Sequence, residues 1–282
     1  MNTDLARSMV ESCLGEGVRA VTPLQGSSWT QIWSVQLDSS ASVVAKVGAL
    51  GVMEEERAGL LALRETRTVR IPDEVGWSAV EDQGILVLEF LQSGGPPDWV
   101  AFADQLADLH SIDVWNRFGF AIDNHLGGTD QCNAWHDDWA SFNRDCRHGP
   151  LLRSVSLRAD DRGLVQQAID SFDGFMDQVR PSLIHGDLWS GNALPLVGGR
   201  VGLIDPAPSF SDRLADIAMM QMFGGFPEAF FDAYFSRFDS VVDPRRLAAC
   251  RLYHALNHLH LFGGGYAGLV RQEATAVLAA DS

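Results

Sequence analysis

The pattern of hydrophobic and polar positions divides the chain into a strand-rich part and a helix-rich part. A helical pattern over residues 3–14 is followed by apolar runs that predict strands at 18–24, 29–37, 42–47, 76–80 and 85–90. Between the third and fourth of these strands, residues 52–65 show the 3.6-residue period of a helix. The first 90 residues therefore predict a small β-rich domain with one internal helix.

Beyond residue 90 the pattern is predominantly helical. Residues 91–97 are rich in glycine and proline, and we place a boundary there between domains of residues 1–90 and 91–282. Helices are predicted at 99–109, 134–146, 161–179, 212–222, 227–238, 244–262 and 265–279. The sequence thus predicts an α+β protein with two lobes, the first small and β-rich, the second larger and mainly helical.

The segment between the third and fourth of these helices carries the candidate chemistry. A short apolar strand leads into the loop His-Gly-Asp-Leu-Trp-Ser-Gly-Asn at 185–192, and a second apolar strand, 201–204, leads into Asp205. Phosphoryl transfer needs a base for the attacking hydroxyl and hard oxygen ligands for Mg²⁺. Asp187, Asn192 and Asp205 supply these groups at the spacing of a kinase catalytic loop. As an alternative, Asp187 and Asn192 are ordinary turn formers.

A second feature, far upstream, favours the kinase interpretation. Lys46 interrupts the apolar strand at 42–47, and it is the only lysine among the 21 lysine and arginine residues of the chain. A chain that otherwise uses arginine for positive charge, yet keeps one lysine in an apolar strand, indicates a need for a compact ammonium group. A kinase places such a group on the nucleotide phosphates.

Two further segments are predicted to serve the nucleotide phosphates. The turn at 25–28 precedes the Lys46 strand, and its small residues Gly26, Ser27 and Ser28 would let backbone N–H groups approach phosphate oxygens. An ordinary hairpin turn fits the same residues. The following helix offers three glutamates, of which we choose Glu56 as the carboxylate that holds the lysine. These glutamates could equally favour the helix N-terminus.

The end of the fifth predicted strand is a candidate for adenine recognition. In a two-lobed kinase, the backbone of Glu89, Phe90 and Leu91 would form hydrogen bonds with the adenine edge. Such a role leaves almost no side-chain signature, so a plain strand end explains the same residues.

Composition narrows the class of partner. The formal net charge of −16 argues against nucleic acid or an anionic membrane surface, because both require clustered lysine and arginine. The acidity would suit a cationic substrate, although solubility alone explains it as well. The four cysteines are scattered without a CxxC pair, and no apolar run reaches the about 20 residues of a membrane helix. We expect a soluble, cytoplasmic protein with buried thiols.

Other polar residues allow more than one interpretation. Asp216 could form hydrogen bonds with the catalytic loop, whereas Asp212 could cap the helix that contains both. His254 and His258 have the spacing of two zinc ligands on one helix, but the glutamate that zinc hydrolases use as a base is missing between them. Ser190 lacks the first glycine of a nucleophile elbow, which disfavours a serine hydrolase.

The loop at 185–192 resembles the catalytic loop of the fructosamine kinase (ketosamine-3-kinase) family, which is related to aminoglycoside phosphotransferases and choline kinases. Its His-Gly-Asp-x₄-Asn core is shared by that wider superfamily, whereas the Leu-Trp-Ser filling is more particular. The resemblance extends to Phe-Gly-Phe at 118–120, Gly-Gly-Thr at 127–129, Gln-Cys-Asn at 131–133, Phe-Gly-Gly-Phe at 223–226 and the block at 252–266. It covers nearly the whole chain.

This resemblance implies a protein-kinase-like fold and the ATP-dependent phosphorylation of the sugar 3-hydroxyl of a ketosamine, after which the adduct decomposes and releases the amine. The substrate would be a small ketosamine or a glycated amine or protein. The implied roles are phosphate positioning by Lys46 and Glu56, general base for Asp187, Mg²⁺ binding by Asn192 and Asp205, loop support by His185 and Asp216, and acceptor binding by Asn133 and His258. Trp189, two residues from Asp187, could stack on the sugar of the acceptor, or it could be a core tryptophan that supports the loop.

Two departures from the pattern and two alternatives accompany this interpretation. The turn at 25–27 is poorer in glycine than is usual in the family, and Asp-Pro-Ala at 205–207 replaces the Asp-Phe-Gly of protein kinases. An aminoglycoside or other small-amine phosphotransferase would use the same residues. A pseudokinase that only binds its ligand is disfavoured, because Lys46, Asp187, Asn192 and Asp205 are all intact. The sequence leaves the sugar, the amine and the oligomeric state open.

Overall fold

The computed structural model of the chain describes residues 3–26, 29–113, 116–176, 179–239 and 242–279. Its backbone groups into two compact units. The first unit consists of Met1–Asp98 with Leu194–Asp205, and the second of Trp99–Ala193 with Pro206–Ser282. Each unit is described by itself below.

The order of elements follows the predicted change from strands to helices. The strands are β1 (Val18–Leu24), β2 (Thr30–Leu37), β3 (Ser42–Ala49), β4 (Glu74–Val80), β5 (Gln83–Glu89), β6 (Asn124–Leu126), β7 (Thr129–Gln131), β8 (Ser182–Ile184), β9 (Ala193–Pro195), β10 (Val201–Leu203) and β11 (Ser209–Ser211). The α-helices are α1 (Thr3–Leu14), α2 (Leu50–Thr66), α3 (Trp99–His110), α4 (Trp139–Asn143), α5 (Gly149–Ser154), α6 (Ala159–Asp170), α7 (Leu214–Phe223), α8 (Glu228–Ser236), α9 (Pro244–Phe262) and α10 (Ala267–Leu278).

The first unit is built on a five-stranded antiparallel sheet with the strand order β1-β2-β3-β5-β4. Successive side chains of a strand point to opposite faces of a sheet. Ala45 and Val47 of β3 lie in a buried cluster with Ala6 and Val10 of α1. Lys46, between them, therefore points to the opposite face, where helix α2 packs against β3 and β5.

The segment that contains β9 and β10 belongs to the first unit through backbone hydrogen bonds. The N–H of Gly94 donates to the carbonyl of Pro195 at 3.0 Å, and the N–H of Leu203 donates to the carbonyl of Arg70 at 2.8 Å. Gly94 lies in the glycine- and proline-rich segment, and this segment belongs to the first unit, which continues to Asp98. Chain segments that are far apart in sequence are thus joined within the first unit, and β10 leads to Asp205.

The second unit is mainly helical, and its longest helix is α9, with 19 residues. Helix α9 packs against α5, α7 and α10, and α10 also packs against α6. Leu252 and Leu256 of α9 share one apolar core with Phe142, Phe172 and Leu214. Two short sheets, β6 with β7 and β8 with β11, complete the unit. No helix in the described ranges is long and apolar enough to cross a membrane.

The helix predicted at 134–146 begins later than expected, with α4 at Trp139. Residues 134–136 are held away from helical geometry, because His136 pairs with Phe118 through reciprocal backbone hydrogen bonds of 2.8 and 2.9 Å. The helix starts where the side chain of Asp138 accepts a backbone N–H, which is the ordinary role of an N-cap residue. Helix α4 then continues into a π-helical turn, Arg144–His148.

The helix predicted at 161–179 ends earlier than expected, with α6 at Asp170. The hydroxyl of Ser171 donates to the carbonyl of Ala168 at 2.7 Å, and a 3₁₀ turn, Phe172–Gly174, follows. This turn buries Phe172 completely. The gain from burying a large aromatic ring depends on distant core partners, so the local period could not reveal it.

Two leucines on helix α2 test which face of the helix is buried. Leu63 is fully buried in the first unit, whereas Leu61 is 41% exposed. We expect Leu63→Ala to lower the free energy of unfolding by about 2–4 kcal/mol and Leu61→Ala to lower it by less than about 1 kcal/mol. Urea unfolding followed by circular dichroism measures both. Equal losses for the two variants would contradict the assigned face.

Candidate active site

The first unit contains a buried charged cluster centred on Lys46. Strand β3 supplies the lysine and α2 supplies Glu56, ten residues later in the chain. The ammonium Nζ donates to Glu56 Oε1 and to Asp205 Oδ1, so the structure brings together three of the residues predicted from the sequence. The Lys46 side chain is 7% exposed and that of Glu56 13%, whereas that of Asp205 is 40% exposed.

The electrostatics of this cluster keep the lysine charged. Burial alone would lower the pKa of Lys46, but the carboxylates of Glu56 and Asp205 outweigh it and raise the pKa. Burial raises the pKa of Glu56, while the Lys46 charge opposes that rise. Two acidic side chains face one ammonium, so acidic groups outnumber basic groups in the cluster. The cluster therefore favours an additional cation on its exposed side, which is the side of Asp205.

The backbone of Asp205 adopts a left-handed conformation, with φ at +55°. Few residues other than glycine occupy this region without cost, and aspartate is one that tolerates it. The turn follows β10 directly and directs the Asp205 carboxylate to Lys46. The predicted strand-end position of this carboxylate thus depends on a local backbone turn as well as on the strand.

Of the backbone groups at the end of β5 that were predicted to bind adenine, one already has a hydrogen-bond partner within the first unit. The N–H of Glu89 donates to the carbonyl of Asp73 at 2.8 Å, and its carboxylate binds Arg70. The Glu89 N–H is therefore not free for adenine, which leaves the Glu89 carbonyl and the backbone at Phe90 and Leu91 as candidates. Phe90 is 38% exposed.

The turn between β1 and β2 shows a requirement for glycine at one position. A Cβ atom on Gly26 would lie 2.4 Å from the carbonyl oxygen of Thr30, so only glycine fits there. The two other residues predicted in this turn, Ser27 and Ser28, lie outside the described residues. The structure thus explains the glycine at position 26 by the shape of the turn.

In the second unit, the loop after β8 is fixed by the buried carboxylate of Asp216. Its two oxygens accept the backbone N–H groups of His185 and Gly186, both at 2.8 Å. Burial would raise the pKa of Asp216, but the hydrogen bond and charge of His110, whose Nε2 lies 3.2 Å away, and the contacts with His185 lower it. Asp216 therefore stays ionised and holds two successive peptide units.

The sequence left open whether Asp216 binds the loop or Asp212 caps the helix, and in the structure the two residues have separate partners. Asp212 accepts the N–H of Leu214 at 3.0 Å at the start of α7, and its other oxygen accepts a hydrogen bond from Arg246 at 2.9 Å. Asp216, one turn later, binds the loop. Asp216 therefore contacts the loop as one interpretation expected, whereas the N-cap residue of α7 is Arg213, which makes no side-chain cap hydrogen bond.

Sequence reasoning missed His110, the second partner of Asp216. It is the last residue of α3, is 4% exposed, and has its Nδ1 2.7 Å from the hydroxyl of Tyr234. A histidine that ends an apolar helix carries no signature of this task. Only the packing of α3 against α8 and β8 shows that Tyr234, His110 and Asp216 form a chain of buried hydrogen bonds.

The loop brings Asp187 and Asn192 together. The Asn192 side-chain Nδ2 donates to the backbone carbonyl of Asp187 at 2.8 Å and to its Oδ2 at 3.1 Å. Because Nδ2 is used in this way, the side-chain oxygen of Asn192 is the atom suited to bind a cation. Gly186 makes the tight turn possible: its φ is +84°, and a Cβ atom would lie 1.9 Å from the carbonyl oxygen of Ala207.

Trp189 is a surface residue of this loop and not a core tryptophan. It is 42% exposed, and its ring lies against Gly191, where a Cβ atom would come within 2.3 Å of the ring. On the neighbouring turn, a Cβ atom on Gly225 would lie 2.4 Å from Cβ of Ser190. Two glycines therefore allow close packing around the Trp189–Ser190 peptide, while Trp189 itself remains partly exposed.

His258 lies in an aromatic group of the second unit. Its ring stacks on Phe223 with 4.4 Å between centroids, and it also contacts Phe262 and Tyr266. Burial lowers the pKa of His258, so the ring is neutral near pH 7. Its Nδ1 lies 2.9 Å from the carbonyl of His254 and must donate there, which leaves Nε2 as an acceptor.

The structure does not support an acceptor-binding role for Asn133 or a zinc site at His254. Asn133 is 1% exposed; its Nδ2 donates to Ile122 and its Oδ1 accepts from Arg147, so its side chain is committed to the loop structure. His254 is also 1% exposed and donates from Nε2 to Ala215. In the described part of the chain, no group of three or more His, Cys, Asp or Glu residues could hold a metal.

Each unit nevertheless offers an oxygen ligand of the kind that Mg²⁺ prefers. Mg²⁺ prefers oxygen ligands and is typically held by one or two protein carboxylates together with substrate phosphates and water. In the first unit, Asp205 offers a partly exposed carboxylate. In the second unit, Asn192 offers a side-chain oxygen. A dedicated cage of three protein ligands is not needed for such an ion.

Comparison with known proteins agrees with this chemistry. The family model described as fructosamine kinase matches residues 2–280, and the chain belongs to this family. A probable ketoamine kinase of Synechocystis sp. is 38% identical over 223 residues, which cover 76% of this chain and 75% of that protein. The chloroplastic protein-ribulosamine 3-kinase of Arabidopsis thaliana is 32% identical over 242 residues, covering 82% and 74%.

Solved structures give the same result. A protein from Thermobifida fusca that is assigned as a fructosamine-3-kinase has a TM-score of 0.88 and 28% identity, with 98% of this chain and 99% of that chain covered. Aminoglycoside phosphotransferase APH(4)-Ia has a TM-score of 0.68 and 16% identity, with 98% of each chain covered, which shows a shared protein-kinase-like fold. The chain is therefore an ATP-dependent phosphotransferase that acts on a sugar hydroxyl.

The contact of Asp216 with the loop leads to a prediction about kcat. In the wild type, each Asp216 oxygen accepts a backbone N–H of the loop. In Asp216→Asn, an amide NH₂ would replace one of these oxygens and face a backbone N–H, so the loop would shift. We expect kcat to fall by about 10²-fold with little change in the KM for ATP, because a displacement of about 1 Å costs that much. Steady-state kinetics measures both. The matched change Asp104→Asn, in an exposed ion pair with Arg237, should leave kcat unchanged.

A second readout separates positioning from general destabilisation. Asp216→Asn should also lower the melting temperature, since a buried charge that accepts several hydrogen bonds is lost. If kcat measured well below the melting temperature were normal, Asp216 would stabilise the fold without positioning the loop.

Proposed function

We propose that this chain transfers the γ-phosphoryl group of ATP to the 3-hydroxyl of a ketosamine, the sugar adduct of an amine, and thereby starts its deglycation. The observation that carries the proposal is the loop at 185–192, where Asp187 is partly exposed, is held by Asn192, and lies on a backbone fixed by Asp216. The names of the relatives, ketoamine kinase and protein-ribulosamine 3-kinase, support this acceptor class.

Asp187 is assigned the role of base. One of its carboxylate oxygens is bound by the Asn192 amide, which orients the group. The proposed step moves the proton of the acceptor 3-hydroxyl to Asp187 while that oxygen bonds to the γ-phosphorus. The bond between the γ-phosphorus and the bridging oxygen breaks, and ADP leaves. Such a reaction depends on positioning and on charge neutralisation, since the protein forms no covalent bond.

Lys46, Glu56 and Asp205 are assigned to the nucleotide. Lys46 remains a cation in a buried position, and Glu56 fixes its side chain from α2. We assign Asp205 and Asn192 as Mg²⁺ ligands; when bound, Mg²⁺ would neutralise the phosphate charge that develops during transfer. A phosphate oxygen beside Lys46 would take the place that Asp205 fills in this structure, which would release that carboxylate for the metal.

The acceptor is assigned to the surface around Trp189 in the second unit. The indole offers a flat apolar face next to the base, which suits the carbon face of a sugar. Phe223 stacks on His258 and belongs to the turn whose Gly225 packs on Ser190, so the His258 group adjoins the loop through continuous contacts. The Nε2 lone pair of neutral His258 can accept a hydrogen bond from a sugar hydroxyl or an amine.

The transferred phosphate explains how the amine is released. In a ketosamine the 3-carbon adjoins the 2-carbonyl, and the amine is on carbon 1. Hydroxide is a poor leaving group, whereas phosphate at carbon 3 can be eliminated once carbon 1 loses a proton and an enaminol forms. The resulting imine is hydrolysed by water and frees the amine. The enzyme therefore needs to perform only the first, phosphoryl-transfer step.

A substrate panel tests the proposal. With Mg-ATP, we expect turnover of fructose-, ribulose- or erythrulose-amine adducts, with ³¹P NMR locating the phosphate on carbon 3, and no turnover of aminoglycosides. Asp187→Asn should lower kcat by about 10²–10⁴-fold, the usual contribution of a general base, while the Kd for ATP stays nearly constant. Turnover of aminoglycosides alone would contradict the ketosamine assignment, and wild-type binding of ATP without turnover of any acceptor would identify a pseudokinase.

Trp189 provides a separate prediction about the acceptor. Because the ring is 42% exposed, Trp189→Ala should leave the melting temperature nearly unchanged. Loss of the stacking surface should raise the KM for the ketosamine about tenfold with a smaller change in kcat and in the KM for ATP. Trp189→Phe, which keeps a flat ring, should retain most of the affinity. If the alanine variant lost ATP and ketosamine affinity together, the acceptor surface would lie elsewhere.

A further inference from the structure

Two of the four cysteines lie side by side in the second unit, although 14 positions separate them in the chain. Cys132 follows β7 directly, and Cys146 lies in the π-helical turn after α4. Their sulfur atoms are 2.9 Å apart. Heavy atoms in van der Waals contact are about 3.5–4.0 Å apart, so these sulfurs are closer than ordinary packing would place them.

The backbone on both sides of this thiol pair is held by one buried arginine. Arg147 is 4% exposed, and its guanidinium donates to the carbonyls of Cys132 and Cys146 at 2.6 and 2.9 Å. It also donates to Asn133 Oδ1 at 2.7 Å and lies over the ring of Phe142. The arginine therefore fixes the two cysteine backbones relative to each other and leaves little freedom for the sulfurs to separate.

We propose that Cys132 and Cys146 form a reversible disulfide when the protein meets a hydroperoxide. Cys132, the more accessible thiol, would attack hydrogen peroxide as a thiolate, forming a sulfenic acid and releasing one water molecule. Cys146 would then attack the sulfenic sulfur, form the S–S bond and release a second water molecule. Overall, two thiols and one hydrogen peroxide give one disulfide and two water molecules. A small-molecule dithiol would reverse the reaction.

The order of attack follows from the surroundings of the two sulfurs. Cys146 is 5% exposed, and burial, with a smaller contribution from Cys132, raises the pKa of its thiol to about 12. A thiol of that kind is a poor first nucleophile for peroxide in solution. It is well placed for the second step, because the sulfenic sulfur would already lie beside it. A disulfide requires about 2.05 Å, so the sulfurs need to approach by only about 0.9 Å.

The disulfide would strengthen contacts that already exist. The hairpin of β6 and β7 is joined to the helical core by the hydroxyl of Tyr253, which donates to Gln131 Oε1 at 2.7 Å, one residue before Cys132. Asn124 of the same hairpin donates to the carbonyl of Pro208 at 2.9 Å. The crosslink would thus fasten the hairpin in its present position. We infer that oxidation raises thermal resistance and leaves kcat essentially unchanged.

The experiment uses the full chain treated with hydrogen peroxide, then alkylated with iodoacetamide without reductant and digested with trypsin. Cleavage after the arginines places Cys132 in peptide 118–144 and Cys146 in the short peptide 145–147. We expect these two peptides to be recovered as one disulfide-linked species that dithiothreitol separates. Thiol titration in denaturant should fall from four thiols to two, and the melting temperature should rise by roughly 5–10 °C.

Single variants provide the controls. Cys132→Ser and Cys146→Ser should each abolish the linked species and the rise in melting temperature, whereas Cys13→Ser, in the first unit, should retain both. In Cys146→Ser, dimedone should trap a sulfenic acid at Cys132. Four titratable thiols after peroxide treatment, a disulfide that includes Cys13, or linkage only in urea would overturn the proposal. The linked peptides, the thiol count and the rise in melting temperature are measured on the wild type, so these three readouts do not depend on whether a variant folds.

Discussion

The second unit depends on one buried carboxylate. Asp216 is 1% exposed and accepts two successive backbone N–H groups from the loop at His185 and Gly186. An unpaired charge in such a place would be strongly unfavourable, so its partners must remain in position. His110 and Tyr234 extend the contact to α3 and α8. The geometry of the loop is therefore coupled to the packing of the helices, and small changes in their core would reach Asp187.

The first unit has a different electrostatic arrangement, in which one buried ammonium faces two carboxylates. The alternation of side chains along β3 sends Lys46 to the side of α2, where Glu56 meets it, while its neighbours Ala45 and Val47 fill the core on the other face. Asp205 is the most exposed member of the cluster. This arrangement keeps the lysine charged and offers a cation an acidic position, as phosphoryl transfer requires.

Glycines determine how closely the loops approach one another. Gly186 lies against the carbonyl of Ala207, Gly191 against the ring of Trp189, and Gly225 against Ser190. A side chain at these positions would collide with a backbone carbonyl, with the indole ring or with the Ser190 side chain. They explain why the loop can present an exposed tryptophan beside a carboxylate on a well-packed unit. The same close packing, at the pair of Cys132 and Cys146, places two thiols within reach of each other.

The sequence alone predicted the strands of the five-stranded sheet, the loop that carries Asp187 and Asn192, and Lys46 as a candidate site residue, because these depend on local period, spacing and composition. Only the tertiary structure decided which polar residues serve the loop. The resemblance implies that Asn133 binds the acceptor, yet its side chain forms hydrogen bonds with Ile122 and Arg147. His110 and the thiol pair had no local signal. Hydrogen bonds between residues distant in sequence arise from packing, which a linear pattern does not contain.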